Sequence, residues 1–155
     1  MSFAFAQAEG GEVPPALVHY LTDDQYRAHY ERRYCSAVIH TFDGLRVYFA
    51  KQQFDDAFFE SANRKARDKS VFSSARAERI DWIRAALEDP AAELYQGWDR
   101  DKKKVDSGRR ITLVFGSYVV VLKVRSNRGS ATFITAYVAD PATIGKIRSG
   151  PRWKP

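Results

Sequence analysis

SGRRITLVFGSYVVVLKVRSNRGSATFITAYVA, residues 107–139, is the stretch that decides the fold. It predicts three consecutive strands, at 111–115, 118–125 and 131–138, because each run is rich in β-branched and aromatic residues. A two-residue turn that begins with Gly116 separates the first pair, and such a turn is typical of a tight β-hairpin. The stretch therefore predicts an antiparallel meander at the centre of the domain.

Side chains with binding chemistry recur along this meander. Successive side chains of a strand point to opposite faces, so Lys123 and Arg125 share one face of their strand. Phe133, Thr135 and Tyr137 share one face of the next strand by the same rule. Cations beside a hydroxyl and a phenol predict a phosphate-binding surface, with Lys123 and Arg125 as substrate-binding residues. A half-solvated sheet without a ligand is the alternative.

The charge of the chain is divided unevenly. At 155 residues and 45% hydrophobic residues the chain is long enough for one globular domain, and its net charge is +6. Residues 1–96 carry a net charge of −3, whereas residues 97–155 carry +9. A basic surface attracts polyanions. RNA is the partner that fits best, and an acidic inhibitor or antitoxin protein also fits.

Cysteine and leader composition indicate the compartment. The single cysteine, Cys35, cannot form an internal disulfide, which favours a reducing, cytoplasmic location. No stretch approaches the roughly 20 apolar residues of a membrane helix, so no membrane association is expected. The three histidines and the cysteine lack metal-ligand spacing, and no cofactor is expected. Residues 1–16 predict a flexible leader or linker ahead of a single domain at 17–155.

The remaining chain predicts helices before the meander and one further strand. Together with the meander they predict an α+β fold, in which N-terminal helices pack on an antiparallel sheet of about four strands. Thr22 or Asp23 caps the first helix. The predicted elements are a helix from there to about Arg33, hairpin strands at 35–41 and 45–49, helices at 53–69 and 73–89, a strand at 92–98 and a helical turn at 143–148.

Two arginines stand in the first two turns of the helix predicted at 73–89. Arg76 and Arg79 oppose the helix macrodipole, which favours acidic residues at a helix N-terminus. This mismatch indicates that one of the two arginines meets an anion. The alternative is a solvated arginine or an ion pair with Glu78 or Asp81.

Four segments carry a resemblance to a known family. They are VIHTFDGLRVYF (38–49), FDDAFFESANRK (54–65), FSSARAERIDWIRAALEDP (72–90) and FITAYV (133–138). With them, about three quarters of the chain resembles the phage-associated branch of the barnase–EndoU–colicin–RelE nuclease superfamily. The resemblance implies a barnase- or RelE-like fold. It also implies a metal-independent endoribonuclease, often part of phage or toxin proteins, that uses 2′-OH attack to form a 2′,3′-cyclic phosphate.

The resemblance also implies site residues. The catalytic set would be His40, Arg76, Thr135 and Tyr137 together with position 56, and Arg79 would bind substrate. The family pattern has a histidine where this chain has Asp56. Either the aspartate is a different solution to the base role or the enzyme is attenuated. A non-catalytic nucleic-acid- or protein-binding module of phage origin is the alternative, and catalysis requires these residues to meet in one cleft.

Overall fold

The computed structural model describes residues 14–62, 68–99, 104–125 and 129–153, and within them it has an α+β fold with eight strands and five α-helices. The strands are β1 (Ile39–His40), β2 (Arg46–Tyr48), β3 (Phe59–Glu60), β4 (Val71–Phe72), β5 (Glu93–Asp99), β6 (Lys104–Phe115), β7 (Tyr118–Val124) and β8 (Ser130–Val138). The helices are α1 (Asp23–Tyr30), α2 (Phe54–Ala57), α3 (Ser74–Ala77), α4 (Ile80–Glu88) and α5 (Pro141–Arg148).

Six of the strands form one sheet in the order β1-β2-β8-β7-β6-β5, and β3 and β4 pair separately. The predicted meander is confirmed as β6, β7 and β8, and Gly116 adopts a φ of +63° in its first turn. The prediction of about four antiparallel strands was wrong. The N-terminal hairpin β1–β2 joins the meander, and β2 pairs with β8 in parallel. This pairing extends the sheet to six strands.

The two faces of the sheet are covered differently. The inner face carries the main core, where Tyr118, Val120 and Leu122 of β7 lie under the helices of the N-terminal half. On the outer face, α5 buries Ile144 and Ile147 against one end of the sheet in a second, smaller core. The α+β class is therefore confirmed, with helices on both faces.

The first helix begins as the sequence predicts. The hydroxyl of Thr22 accepts a hydrogen bond from the backbone N–H of Gln25, and the side chain of Gln25 accepts one from the N–H of Thr22. The α-helix ends at Tyr30, and a π-helical turn, Glu31–Cys35, follows it directly. Cys35 is half-buried in this turn and does not lie in a strand as predicted.

A buried histidine ties three parts of the N-terminal half together. His29 of α1 is 2.9 Å from the hydroxyl of Tyr20 through Nδ1 and 2.7 Å from Asp81 of α4 through Nε2. Its side chain is 7% exposed. Since the interactions join the segment before α1 to both helices, His29 positions α4 beneath the sheet.

Two predicted helices are shorter than expected. The helix predicted at 53–69 is confined to α2, because the chain turns at Phe58 and Phe59 enters the small β3–β4 sheet. Residues 63–67 of that prediction lie outside the described residues. The helix predicted at 73–89 is split into α3 and α4. No helix in the part of the chain that the structure describes is long and apolar enough to cross a membrane.

Gly97 sits at an irregularity in the β5–β6 ladder and provides a stability test. A Cβ at this position would lie 2.4 Å from Cβ of Arg110. We expect Gly97→Ala to lower the free energy of unfolding by about 1–3 kcal/mol, because neighbouring backbone must move. Gly145→Ala in α5 is the matched control: nothing lies within 4 Å of its added Cβ, and we expect stabilisation of about 0.5–1 kcal/mol. Urea unfolding measures both, and equal effects would contradict the steric explanation.

Candidate functional site

The second half of β8 is an open edge of the sheet. β2 pairs with β8 only from Ser130 to Thr132, so the residues that follow have no strand on that side within the described chain. Helices α2 and α3 lie along this edge instead. The side chain of Gln53, just before α2, donates a 2.8 Å hydrogen bond to the carbonyl of Ile134. The edge therefore brings helix residues next to β8 side chains.

Arg76 meets two of the predicted residues at this edge. Its Nη1 donates to the hydroxyl of Thr135 and to the carbonyl of Ala57, both at 3.4 Å. Its guanidinium carbon lies 5.5 Å from the centre of the Tyr137 ring. Glu60 of β3 is 3.9 Å from Nη2. We call Arg76, Thr135, Tyr137 and Glu60 the Arg76 cluster.

Local structure fixes the direction of the Arg76 side chain. Ser73 caps α3 by accepting a hydrogen bond from the backbone N–H of Arg76, and Ala77 packs in the core. The backbone at Arg76 is consequently held in the first turn of α3, and the side chain is 21% exposed. Its hydrogen bonds are long, and long hydrogen bonds are weak. An anion arriving from solvent can therefore compete for its N–H groups.

Arg79 lies one turn further on and has closer partners. It donates to the carbonyl of Ala75 at 2.7 Å and pairs with Glu78 at 3.2 Å, and its guanidinium lies 5.2 Å from the Trp82 ring. The ion pair with Glu78 is the alternative that the sequence left open. Because a carboxylate already contacts Arg79, Arg76 is the better placed of the two to bind an added phosphate.

A buried phenol lies near both arginines. Tyr118 at the start of β7 is 1% exposed and packs 5.5 Å from the Trp82 ring. Burial raises the pKa of Tyr118 well above its ordinary value, although Arg79 and Arg76 act in the opposite direction. Its hydroxyl consequently stays protonated at neutral pH.

The other two predicted catalytic residues do not contact the Arg76 cluster. Asp56 is exposed on α2, one residue before Ala57, and so lies beside the cluster. His40 is paired with Arg46, two strands from Ser130 at the start of β8. At about 4.8 Å per strand and 3.3 Å per residue, this register places His40 roughly 15–20 Å from Thr135. Thus four of the five predicted catalytic residues lie near one edge, and His40 lies apart.

Two of the three predicted substrate-binding residues, Lys123 of β7 and Arg125 just after it, lie on the outer face. Lys123 is paired with Thr132 of β8, and Thr132 is paired with Tyr48 of β2. Arg125 follows the end of β7 and contacts the Tyr48 ring, as does Arg46. The sequence analysis missed both Arg46 and Tyr48. The alternation in RVY (46–48), with valine between two polar residues, is the signal that could have placed them on one outer face.

Glu60 is the other residue that the sequence analysis missed. It was assigned to a helix, and only its position in β3 brings its carboxylate to Arg76. Across the described ranges, no group of three histidine, cysteine or acidic side chains could hold a metal ion. The residues available for chemistry in the Arg76 cluster are therefore a guanidinium, a hydroxyl, a phenol and a carboxylate.

Comparisons with known proteins do not identify the site. No family model, no curated protein and no solved structure matches the chain.

Proposed function

We propose that the chain is a metal-independent endoribonuclease of the barnase–EndoU–colicin–RelE superfamily, with the Arg76 cluster as its active site. The observation that carries this proposal is the Arg76 guanidinium, which is bonded to Thr135 and has one loosely held carboxylate, at 3.9 Å, among the described residues. A guanidinium with N–H groups free to bind a second partner is suited to phosphate recognition.

The proposed reaction begins with phosphate binding. Arg76 and the hydroxyl of Thr135 hold the non-bridging oxygens, and Tyr137 orients the same phosphate. Glu60 takes the proton of the 2′-OH, and the 2′ oxygen then forms a bond to phosphorus. The bond from phosphorus to the 5′ oxygen breaks, and the 5′ oxygen takes a proton from water. The hydroxide that this leaves takes the proton from Glu60, which restores the carboxylate. The products are a 2′,3′-cyclic phosphate and a free 5′-OH. Arg76 stabilises the negative charge that develops at phosphorus.

The proposal gives the base role to Glu60 and not to His40. We expect Glu60→Gln to lower the rate of RNA cleavage by about 100-fold, the contribution of one general base. His40→Ala should leave the rate within about threefold, because the imidazole lies two strands from β8. The assay uses single-stranded RNA in the presence of a chelator, with analysis of product ends for cyclic phosphate. Glu88→Gln, an exposed carboxylate change on α4, is the control.

The assignment of the base would be wrong if His40→Ala lowered the cleavage rate and Glu60→Gln left it unchanged.

Asp56→His extends the same assay. A histidine can both accept and donate a proton near neutral pH, so this variant should cleave faster than the wild type if position 56 faces the substrate.

A non-catalytic nucleic-acid-binding module is the second candidate function. It is favoured by the separation of His40 from Thr135, since the predicted catalytic set is then incomplete. This function would be supported if both the wild type and Asp56→His bound RNA and neither cleaved it. In either case we propose an acidic inhibitor protein as a partner, because the second half of the chain is basic. The family resemblance leads us to propose a phage or toxin origin.

A further inference from the structure

A second cationic surface lies on the outer face of the sheet. Strand alternation turns Val47 and Leu122 inward, and both are buried, so Arg46, Tyr48 and Lys123 turn outward. Lys123 and Arg125 are exposed, and Tyr48 is 37% exposed. We call the surface formed by Arg46, Tyr48, Lys123, Arg125 and Thr132 the outer-face patch.

Two guanidinium groups converge on one aromatic ring in this patch. The guanidinium carbon of Arg46 lies 4.4 Å from the centre of the Tyr48 ring, and that of Arg125 lies 4.2 Å from the same centre. Arg125 also donates from Nε to the hydroxyl of Thr132 at 3.4 Å. Contact with a ring face is favourable for a cation and fixes its position. The two arginines are therefore oriented on the sheet before any ligand arrives.

Among the described residues, no acidic side chain pairs with the cations of the patch. Of the ion pairs formed by described residues, none involves Arg46, Lys123 or Arg125. The Nε atom of Arg46 is buried and has no hydrogen-bond partner in the described part of the chain. Like charges held close together repel, and a bound anion relieves that repulsion. Charge complementarity therefore points to an anionic ligand that spans several cations.

The outer-face patch and the Arg76 cluster lie on the same strand. Thr132 belongs to the patch and Thr135 to the cluster, and they are three positions apart on β8. At about 3.3 Å per residue, this is roughly 10 Å. Across β8, Lys123 pairs with Thr132, Val121 with Thr135 and Val119 with Tyr137, and the ladder is irregular between Val121 and Leu122. This irregularity puts Thr135 and Tyr137 on the same face as Thr132, whereas Phe133 lies in the main core, so the prediction that Phe133, Thr135 and Tyr137 share one face was wrong. A chain of phosphates laid along β8 can thus reach both sites at once.

We propose that the outer-face patch binds the backbone of single-stranded RNA, so that the strand runs along β8 and its scissile phosphate reaches Arg76. The link to cleavage rests on the proposed function, whereas the binding itself does not. A sheet face with arginines and a tyrosine suits an unpaired strand, because flexible single strands are recognised by sheet surfaces through backbone charge and stacking. Arg46 and Arg125 contact one phosphate and Lys123 contacts the next.

Binding is measured with a fluorescent 2′-O-methyl RNA of about 12 nucleotides, within the usual range of single-strand sites. Its blocked 2′ oxygen prevents cleavage, and fluorescence anisotropy reports binding. We expect Arg46→Gln with Arg125→Gln to weaken binding by about tenfold. The slope of log affinity against log salt should become shallower by about 0.7, since the two arginines share one phosphate and each phosphate contact on a single strand contributes about 0.7. Lys123→Gln alone should reduce the slope by about 0.7.

The matched control is Arg32→Gln with Arg33→Gln, which removes the same charge from exposed positions of the π-helical turn. It should change the affinity less than twofold. Equal weakening by both double variants would overturn the patch assignment and indicate long-range charge alone. Since Lys123 is exposed, its variant tests the patch even if the double variant unfolds.

Two comparisons separate the remaining outcomes. The first comparison measures binding of a duplex of the same length and of polyglutamate. The single-strand assignment would be overturned if either bound as tightly as the single strand and the same variants weakened that binding. Cleavage of a dinucleotide, too short to reach the patch, tests the Arg76 cluster alone. If the dinucleotide stays intact but RNA binding follows the prediction, the patch stands and the proposed catalysis fails.

Discussion

Replacing Arg76 with glutamine is expected to lower the rate of RNA cleavage by about 100-fold or more, which is the usual effect of removing one preorganised donor to a developing charge. Glutamine is polar and can occupy the same space, but it carries no positive charge. The variant keeps Ala77 in the core and Ser73 at the cap of α3, so the helix should remain in place. Single-turnover cleavage of single-stranded RNA measures the effect.

Arg84→Gln is the control for this variant. Arg84 is an exposed arginine of α4 that pairs with Glu88, and its loss removes one charge from the same part of the molecule. We expect the control to cleave within about twofold of the wild type, because exposed ion pairs contribute little to stability. Arg76→Lys separates charge from geometry, since lysine keeps the charge but lacks the planar fork of donors. Its rate should fall between those of the wild type and the glutamine variant.

A second feature of Arg76→Gln distinguishes catalysis from binding. Because the outer-face patch lies elsewhere on β8, the affinity for uncleavable RNA should change much less than the rate. A variant that binds RNA tenfold more weakly and cleaves it only tenfold more slowly would place Arg76 in general binding. That result would remove the basis for calling the Arg76 cluster an active site.

The meander could be predicted from the sequence, whereas the edge beside it could not. Strand alternation and the turn at Gly116 are local signals, and they place β6, β7 and β8 correctly. The parallel pairing of β2 with β8 joins residues more than eighty positions apart. Nothing in the local pattern of either strand indicates such a partner, and the count of strands in the sheet was wrong for this reason.

Only the part of the candidate site that depends on local signals could be predicted from the sequence. Arg76 stood out because a cation in the first turn of a helix opposes the macrodipole, which is a local signal. Glu60 did not stand out, because Phe54 and Phe58 have the spacing of a helix stripe and the segment was assigned to a longer helix. The chain in fact turns into β3 after Phe58, and this turn brings the carboxylate to Arg76.

The stability of this arrangement depends on an aromatic core centred on Tyr30. The Tyr30 ring is fully buried. It packs against five other aromatic rings, the last of which belongs to β8. The centroid distances are 6.1 Å to Tyr34, 6.2 Å to Phe49, 5.8 Å to Phe54, 5.7 Å to Phe58 and 6.4 Å to Phe133. The cluster thereby joins the first helix to α2 and to the sheet edge that carries Thr135.

We expect Tyr30→Ala to lower the free energy of unfolding by about 3–5 kcal/mol, as is usual when a buried aromatic ring is removed and a cavity remains. The total free energy of unfolding of a domain is about 5–15 kcal/mol, so the variant should lose a large part of its stability. Urea unfolding followed by tryptophan fluorescence measures the loss. Cleavage by the folded fraction should also decline, because α2 packs on the lost ring through Phe54.

Tyr30→Phe is the control that separates the ring from its hydroxyl. The hydroxyl donates a 2.8 Å hydrogen bond to the carbonyl of Ala50, and burial raises the pKa of Tyr30, so this donor stays protonated. Phenylalanine keeps the ring and loses the hydrogen bonding of the hydroxyl, at a cost of about 0.5–1.5 kcal/mol per hydrogen bond. If both variants lost the same free energy, the hydrogen bond and not ring packing would hold the cluster together. A loss below about 1.5 kcal/mol for Tyr30→Ala would show that the cavity closes by rearrangement of the surrounding rings.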